Sequence, residues 1–432
     1  MRDPPSNRKA VISWCLYDVA NSAFALTVMT AFFPLFFKQF WCTGVDSSVS
    51  TFRLGMGNTC AALCIALLSP WLGALADAGR KRKQILFFFM AVGAAASGLL
   101  AAVPHGAWAG ALGVFTVASI GFSCANLFYD SLLACVAARN RMDFLSSAGY
   151  AAGYLGSAAL FMVNSFMASK PALFHLASGV QGVRASFVSV AVWWFAFSIP
   201  LFLYVNDRDK SEGGSWSGEV YRNAVKQLRA TIREIRSAPA VWLFLLAFWL
   251  YIDGVSTVIR MAADFGLSLG LSTPDLLRAL VVVNLVAVPS SLLFGLAAQR
   301  FGSYATVLAG IIVYIAVILC GSLFVNSGGH FMFFAVVSAV PLGGLLALSR
   351  SHFTRLIPGE KSAEYFGFYN LTGKFAVIVG PGMVGLVTLL SRTFGAGAHA
   401  ASRSGFASIA VLFAAGGILF VVAHKAGRRE RA

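Results

Sequence analysis

Apolar stretches long enough to cross a bilayer recur twelve times along this chain, near 12–40, 54–76, 84–103, 108–137, 146–168, 184–205, 240–266, 275–298, 304–325, 331–349, 364–390 and 405–423. About twenty residues wound as an α-helix span the ~30 Å hydrocarbon core. Inside lipid an unpaired backbone N–H or C=O has no water to turn to, so spanning helices or a closed barrel are the only solutions. Runs of this length exclude the short alternating strands of a barrel. The expectation is an all-α membrane protein of twelve transmembrane helices. Composition agrees: 58% of residues are hydrophobic and 12% charged, against about 25% charged in an ordinary soluble domain. The first and fourth runs exceed the minimum, which implies tilt or ends projecting beyond the hydrocarbon. The first is also longer than a signal-peptide core of about 7–15 residues, so it is expected to be retained as a helix.

The basic residues test the count, because a missed helix would scramble the two sides of the membrane. Under the twelve-span alternation, 24 of the 33 Lys and Arg residues share a side with both termini, eight lie opposite, and Lys374 falls within a span. Cytoplasmic loops concentrate Lys and Arg. Both termini are therefore expected in the cytoplasm, in a bacterial inner membrane. The net charge of +16 follows from topology, and no nucleic-acid partner is expected.

The longest loop, 206–238, separates an N-terminal half, 1–205, from a C-terminal half, 239–432. In it Tyr221, Val225, Leu228, Ile232 and Ile235 recur at four- and three-residue spacing, with Arg222, Lys226, Arg229, Arg233 and Arg236 each one position later. A helix with these two stripes lays its apolar side in the headgroup boundary and turns its cations toward anionic lipid. Membrane lipid is the expected partner of this linker, with a regulatory protein as the alternative.

The first span contains the sequence WCLYDVANSAF, residues 14–24. Asp18, Asn21 and Ser22 stand at i, i+3 and i+4 and share one helix face. An ionisable group at mid-bilayer costs about 2.5–3.5 kcal/mol on insertion scales, so that face looks into a bundle or a water-filled path. Trp249, Asp253, Ser256 and Thr257 repeat the spacing of Trp14, Asp18, Asn21 and Ser22. Two further landmarks recur: Gly73 to Lys83 and Gly295 to Gly302 lie 222 residues apart, Gly149-Tyr150 and Gly367-Phe368 218 apart. Two six-helix halves follow. A six-plus-six array with a cytoplasmic linker is the plan of alternating-access transporters, with the substrate site near the midplane.

The segment Gly73-Ala-Leu-Ala-Asp77-Ala-Gly79-Arg80-Lys81 resembles the signature between helices two and three of the major facilitator superfamily. The resemblance implies that Asp77, Arg80 and Lys81 belong to a cytoplasmic gate, although Ala78 stands where an arginine is common. WCLYDVANSAF, the stretch from Asp253 through Arg260 and Asp264 to Gly270, and the stretch from Ser349-Arg350 to Asn370 and Lys374 are similar to the branch called the Unknown Major Facilitator family. That branch includes fungal vacuolar amino-acid effluxers. The resemblance implies the major facilitator fold, a transport function and amino acids as the substrate class.

Asp18 and Asp253, acids on corresponding spans, are candidates for substrate contact or proton coupling; the alternative is a hydrogen bond tying helices together. Asn21, Ser22, Ser256 and Thr257 accompany them. Lys374 lies too deep in its span to snorkel and is expected to meet a carboxylate or an anionic substrate group, with Asn370 one turn earlier on the same face. Arg260 and Asp264 form an i, i+4 pair, either an intrahelical salt bridge or an outer gate. Asp130 is expected to pair near the cytoplasmic gate. Arg350, flanking the cytoplasmic end of span ten, anchors topology, and its gate role follows from the resemblance. Gly149, Gly153 and Gly156 permit close helix approach, and Gly380-Pro381-Gly382 should bend or loosen span eleven.

Enzyme chemistry is not expected. The chain has no P-loop, no metal spacing among its six histidines, and Trp216 at the position a serine nucleophile would need in Gly214 to Gly218. Cys60 and Cys64, one turn apart, lack the further ligands of a zinc site. The expected function is secondary active transport of a small organic solute, in the first instance amino acids, by a proton-coupled monomer with no cofactor beyond a coupling ion. Export of lysolipids or amphipathic drugs, or a non-transporting sensor on the same fold, are the alternatives.

Overall fold

The computed structural model describes residues 8–45, 47–79, 81–138, 140–206, 218–268, 273–325, 327–376 and 379–429. Arg80 lies outside the described residues, as do the side chains of Asp77, Arg260, Asp264 and Lys374 and, on the linker, of Tyr221, Arg222, Val225 and Leu228. The helices are α1 (Arg8–Ala23), α2 (Ser47–Gly79), α3 (Arg82–Leu99), α4 (Trp108–Ser131), α5 (Met142–Ser169), α6 (Gly179–Tyr204), α7 (Gly218–Ser237), α8 (Pro239–Ser268), α9 (Thr273–Phe301), α10 (Ser303–Phe324), α11 (Gly328–Leu356), α12 (Ser362–Phe375), α13 (Val379–Thr393) and α14 (Ala398–Arg429).

Among the described residues, eleven helical segments are long and apolar enough to cross a membrane. The remaining apolar run, expected as one span over 364–390, is divided between α12 and α13, of 14 and 15 residues. At about 1.5 Å per residue neither crosses the hydrocarbon alone. Residues 377 and 378, between the two, lie outside the described residues, and so does any bend of the span at that point. Pro381 stands within α13, as Pro70, Pro200, Pro289 and Pro341 stand within α2, α6, α9 and α11.

The first span also departs from plain α-helix. Beyond Ala23 it continues as π-helix over Phe24–Phe32, one α turn over Phe33–Phe36, and π-helix again over Phe37–Trp41. A π turn bonds i to i+5 instead of i+4. Side chains after Ser22 therefore leave the angular register of Asp18, and the polar face ends where the π segment begins. Elsewhere ordinary caps operate: the Ser178 and Ser327 hydroxyls accept from the Gln181 and His330 amides, 3.3 Å each, at the starts of α6 and α11.

The helices gather into two compact units. Unit 1 comprises Met1–Arg139, Ala152–Lys226 and Glu360–Gly367; unit 2 comprises Asn140–Ala151, Gln227–Gly359 and Phe368–Ala432. In unit 1, α3 packs on α4 and α6, α1 on α6, and α2 on α4. In unit 2, α8 packs on α14, α9 and α10 on α11, and α13 on α14. Each unit therefore incorporates a short segment from the other half of the sequence. On α7, Lys226, Arg229, Arg233 and Arg236 are exposed while Ile235 is buried, so the described part of the cationic stripe faces outward.

Candidate functional site

In unit 1 the polar face of α1 meets an answering face on α4. Asp18 and Asn21 are buried. The Tyr129 hydroxyl lies 2.7 Å from Asp18 Oδ2 and 3.1 Å from the Trp14 carbonyl, with its one proton to share between them. Trp14 returns a bond from its indole N–H to the Tyr129 carbonyl at 3.3 Å and stacks on the phenol ring, centroids 4.6 Å apart. One turn further, Asn21 Nδ2 donates to Asn126 Oδ1 at 2.6 Å, and the Ser22 hydroxyl leans on Asn21 Oδ1 at 3.4 Å. Asp130 is half-buried beside Tyr129 in sequence. The result is a ladder of acid, phenol, two amides and a hydroxyl across two helices.

Sequence reasoning missed Asn126 and Tyr129. The signal was present, because Asn126, Tyr129 and Asp130 stand at i, i+3 and i+4, the spacing of Asp18, Asn21 and Ser22. Two copies of one spacing in neighbouring apolar spans of a half-chain can meet across a helix pair.

Small residues let α5 close on this ladder. A Cβ added at Gly153 would stand 2.6 Å from Ser22 Oγ and 3.1 Å from the Asp18 carbonyl oxygen. Substituting valine is expected to push α5 off α1 at an overpacking cost of about 1–3 kcal/mol, so G153V should melt below wild type in detergent and below G153A. Equal melting of all three proteins would mean that α5 is not held at this distance.

Unit 2 treats the corresponding acid differently. Asp253, on α8, is 1% exposed. Its Oδ2 accepts from the backbone amides of Val379 and Gly380, 3.0 Å each, the first two residues of α13. Thr257, one turn on, donates to Oδ1 at 3.3 Å. Ser256 and Asn370 are half-buried. Tyr251, on the same helix as Asp253, shares a hydrogen bond of 2.7 Å with Ser349 of α11.

A second polar cluster in unit 2 holds the segment Asn140–Ala151. Arg350, 1% exposed, donates from Nε to Ser146 Oγ at 2.9 Å and from Nη2 to the Ser146 carbonyl at 3.0 Å, with its guanidinium 4.5 Å from the Tyr150 ring centroid. Ser146 Oγ donates onward to the Ala347 carbonyl at 2.7 Å. Arg355 pairs with Asp143 at 2.7 Å, and Ser351 donates to the other Asp143 oxygen at 2.6 Å. Asp143 was not singled out from sequence: a single acid beside a basic loop carries no periodic signal. In unit 1 the segment Glu360–Gly367 is held by Arg82, which donates to the Glu360 carbonyl at 2.7 Å, and by Ser362, which donates to the Ser131 carbonyl at 3.3 Å. Lys81, expected from the loop signature, is half-buried, and the neighbouring Arg82 makes the bond to Glu360.

Residues 44–432 match the model of a family described as "Vacuole effluxer Atg22 like". The chain is 37% identical over 383 residues to the uncharacterized MFS-type transporter YxiO of Bacillus subtilis, covering 88% of each chain. It is 25% identical to Autophagy-related protein 22 of Yarrowia lipolytica over 66% of this chain and 51% of the fungal one, so it spans about half the length of that relative. Its fold is that of the proton:xylose symporter XylE bound to 6-bromo-6-deoxy-D-glucose, with a TM-score of 0.70 at 15% identity over 97% of this chain and 94% of the other. A bacterial homologue of the iron transporter ferroportin in an outward-facing state gives a TM-score of 0.65 at 15% identity, over 98% and 100%.

Proposed function

The chain belongs to the Atg22-like family and is a multi-pass membrane transporter of the major facilitator superfamily, and on that premise we propose that it carries a small organic solute by proton-coupled alternating access. Amino acids are the favoured class. The observation that carries the reading is the ladder of buried Asp18, Tyr129 and Asn21 with half-buried Asn126 and Ser22. It places an ionisable group and neutral hydrogen-bonding groups one helical turn apart inside an apolar span, where such groups are expensive to keep. Asp18 with Tyr129 is suited to hold the coupling proton; the two amides and Ser22 are suited to a polar solute. Release of Asn140–Ala151 from Arg350 and of Glu360–Gly367 from Arg82 is the accompanying conformational step. Both termini lie in the cytoplasm, and α7 rests its cations on anionic lipid.

The test is solute flux in proteoliposomes. With a mixture of labelled amino acids, wild type is expected to exchange at least one against internal unlabelled solute, to respond to an imposed pH gradient, and to run faster as anionic lipid is added. Binding without counterflow would replace transport by sensing. Counterflow with lysolipid and none with amino acids would move the substrate class to amphiphiles.

A further inference from the structure

Asp18 and Asp253 stand at matching places in the two sequence halves, yet their surroundings give them different chemistry. Asp18 faces a phenol hydroxyl. That group can rotate and either donate or accept, so a proton can come and go without moving the backbone. Asp253 faces two main-chain amides, which only donate and point where the helix axis points.

Those amides belong to Val379 and Gly380, the first two residues of α13. The first four N–H groups of any helix lack an intrahelical partner, and within the hydrocarbon they must be met by protein. α13 begins at Val379, three residues before its Gly-Pro-Gly triplet is complete, and α8 supplies the acceptor. Gly380 makes the approach feasible: a Cβ there would fall 2.9 Å from Asp253 Oδ1 and impossibly close to Thr257 Oγ1. A carboxylate at a helix N-terminus also meets the positive end of the peptide dipoles.

Among the described residues, the neighbours of this part of α8 include apolar and hydroxyl groups. α14 presents Phe413 to Gly254, and α11 presents Ser349 to Tyr251. Arg392, near the far end, is the one charged residue of α13. The charged residues of α9, namely Asp275, Arg278 and Arg300, stand near its ends, and on α12 Asn370 is half-buried while the Lys374 side chain lies outside the described residues.

We propose that Asp253 is a positioning residue, the cap that holds the first turn of α13 against α8, and that it takes no part in carrying the coupling proton. The inference deepens the transport reading by dividing the two acids: Asp18 couples, Asp253 holds α13 in place. Asparagine keeps a carbonyl acceptor for the two amides, whereas alanine removes it.

The experiment compares D253N, D253A and G380A in the purified full-length protein by amide hydrogen exchange over peptides covering 379–385, and in proteoliposomes by flux with and without a pH gradient. D253A and G380A are expected to speed exchange in those peptides about tenfold or more, the change set by loss of the hydrogen bonds from the two amides to the residue 253 acceptor. D253N should stay near wild type. In flux, D253N should keep the wild-type response to the gradient, and D253A should lower the maximal rate more than it changes the apparent KM. Unchanged exchange in both D253A and G380A would remove the cap. A D253N protein that exchanges normally but no longer responds to the gradient would return the proton to Asp253. If D253A does not fold, G380A and D253N decide. The exchange arm stands without any transported solute, so failure of the transport reading is told apart from failure of this one.

Discussion

D18N proteoliposomes are expected to equilibrate solute without concentrating it. A pH difference of one unit is worth about 1.4 kcal/mol per proton, so one-to-one coupling supports roughly a tenfold solute gradient. Asn in place of Asp18 keeps an oxygen to accept from Tyr129, whose hydroxyl now lies 2.7 Å from Oδ2, and so preserves the ladder while removing the ionisable group. Counterflow should therefore survive while gradient-driven accumulation falls by that roughly tenfold factor. The measurement is paired: exchange of internal for external solute, and accumulation ratio at zero and one unit of pH difference. A D18N protein that still accumulates solute like wild type would remove Asp18 from coupling.

The second large effect concerns stability. R350A deletes two hydrogen bonds from a buried guanidinium to Ser146 and the ring contact with Tyr150. A hydrogen bond to a charged group contributes about 1.5–3 kcal/mol, and the Ser146 carbonyl would be left without this donor. A loss of about 3 kcal/mol or more in the unit holding Asn140–Ala151 is expected, read as a fall in melting temperature of several degrees by tryptophan fluorescence. R350K should fall between, because a lysine offers one compact charge where arginine offers a planar fork that reaches hydroxyl and carbonyl together. Melting of R350A within a degree of wild type would show that Arg350 does not secure this segment. D143N should cost less, since Arg355 is 27% exposed and solvent screens its pairing.

The two acids show how far sequence reading carried. Helix geometry alone put Asp18, Asn21 and Ser22 on one face, and the same spacing put Asp253 and Thr257 on another; Asp18, Asn21, Asp253 and Thr257 are buried inside apolar spans and Ser22 is half-buried. What each acid touches did not follow. Tyr129 lies 111 residues from Asp18, and Gly380 lies 127 from Asp253. A period of 3.6 says which way a side chain points along its own helix and is silent about which helix stands opposite. Nor could the sequence show that the Val379 and Gly380 amides would be met by a carboxylate from α8.

The same divide runs through the whole molecule. By itself the sequence determined the helices, the apolar spans and the polar faces within them, because each depends on hydrophobicity and hydrogen bonding within one or two dozen consecutive residues. Tertiary structure alone decided the pairing of Asp18 with Tyr129, the capping of α13 by Asp253, and the seating of Asn140–Ala151 in unit 2 through Arg350 and Arg355. Those contacts join residues from 111 to 212 positions apart. They depend on how preformed helices close on one another, where small residues permit approach and buried polar groups must find partners, and no local pattern records that choice.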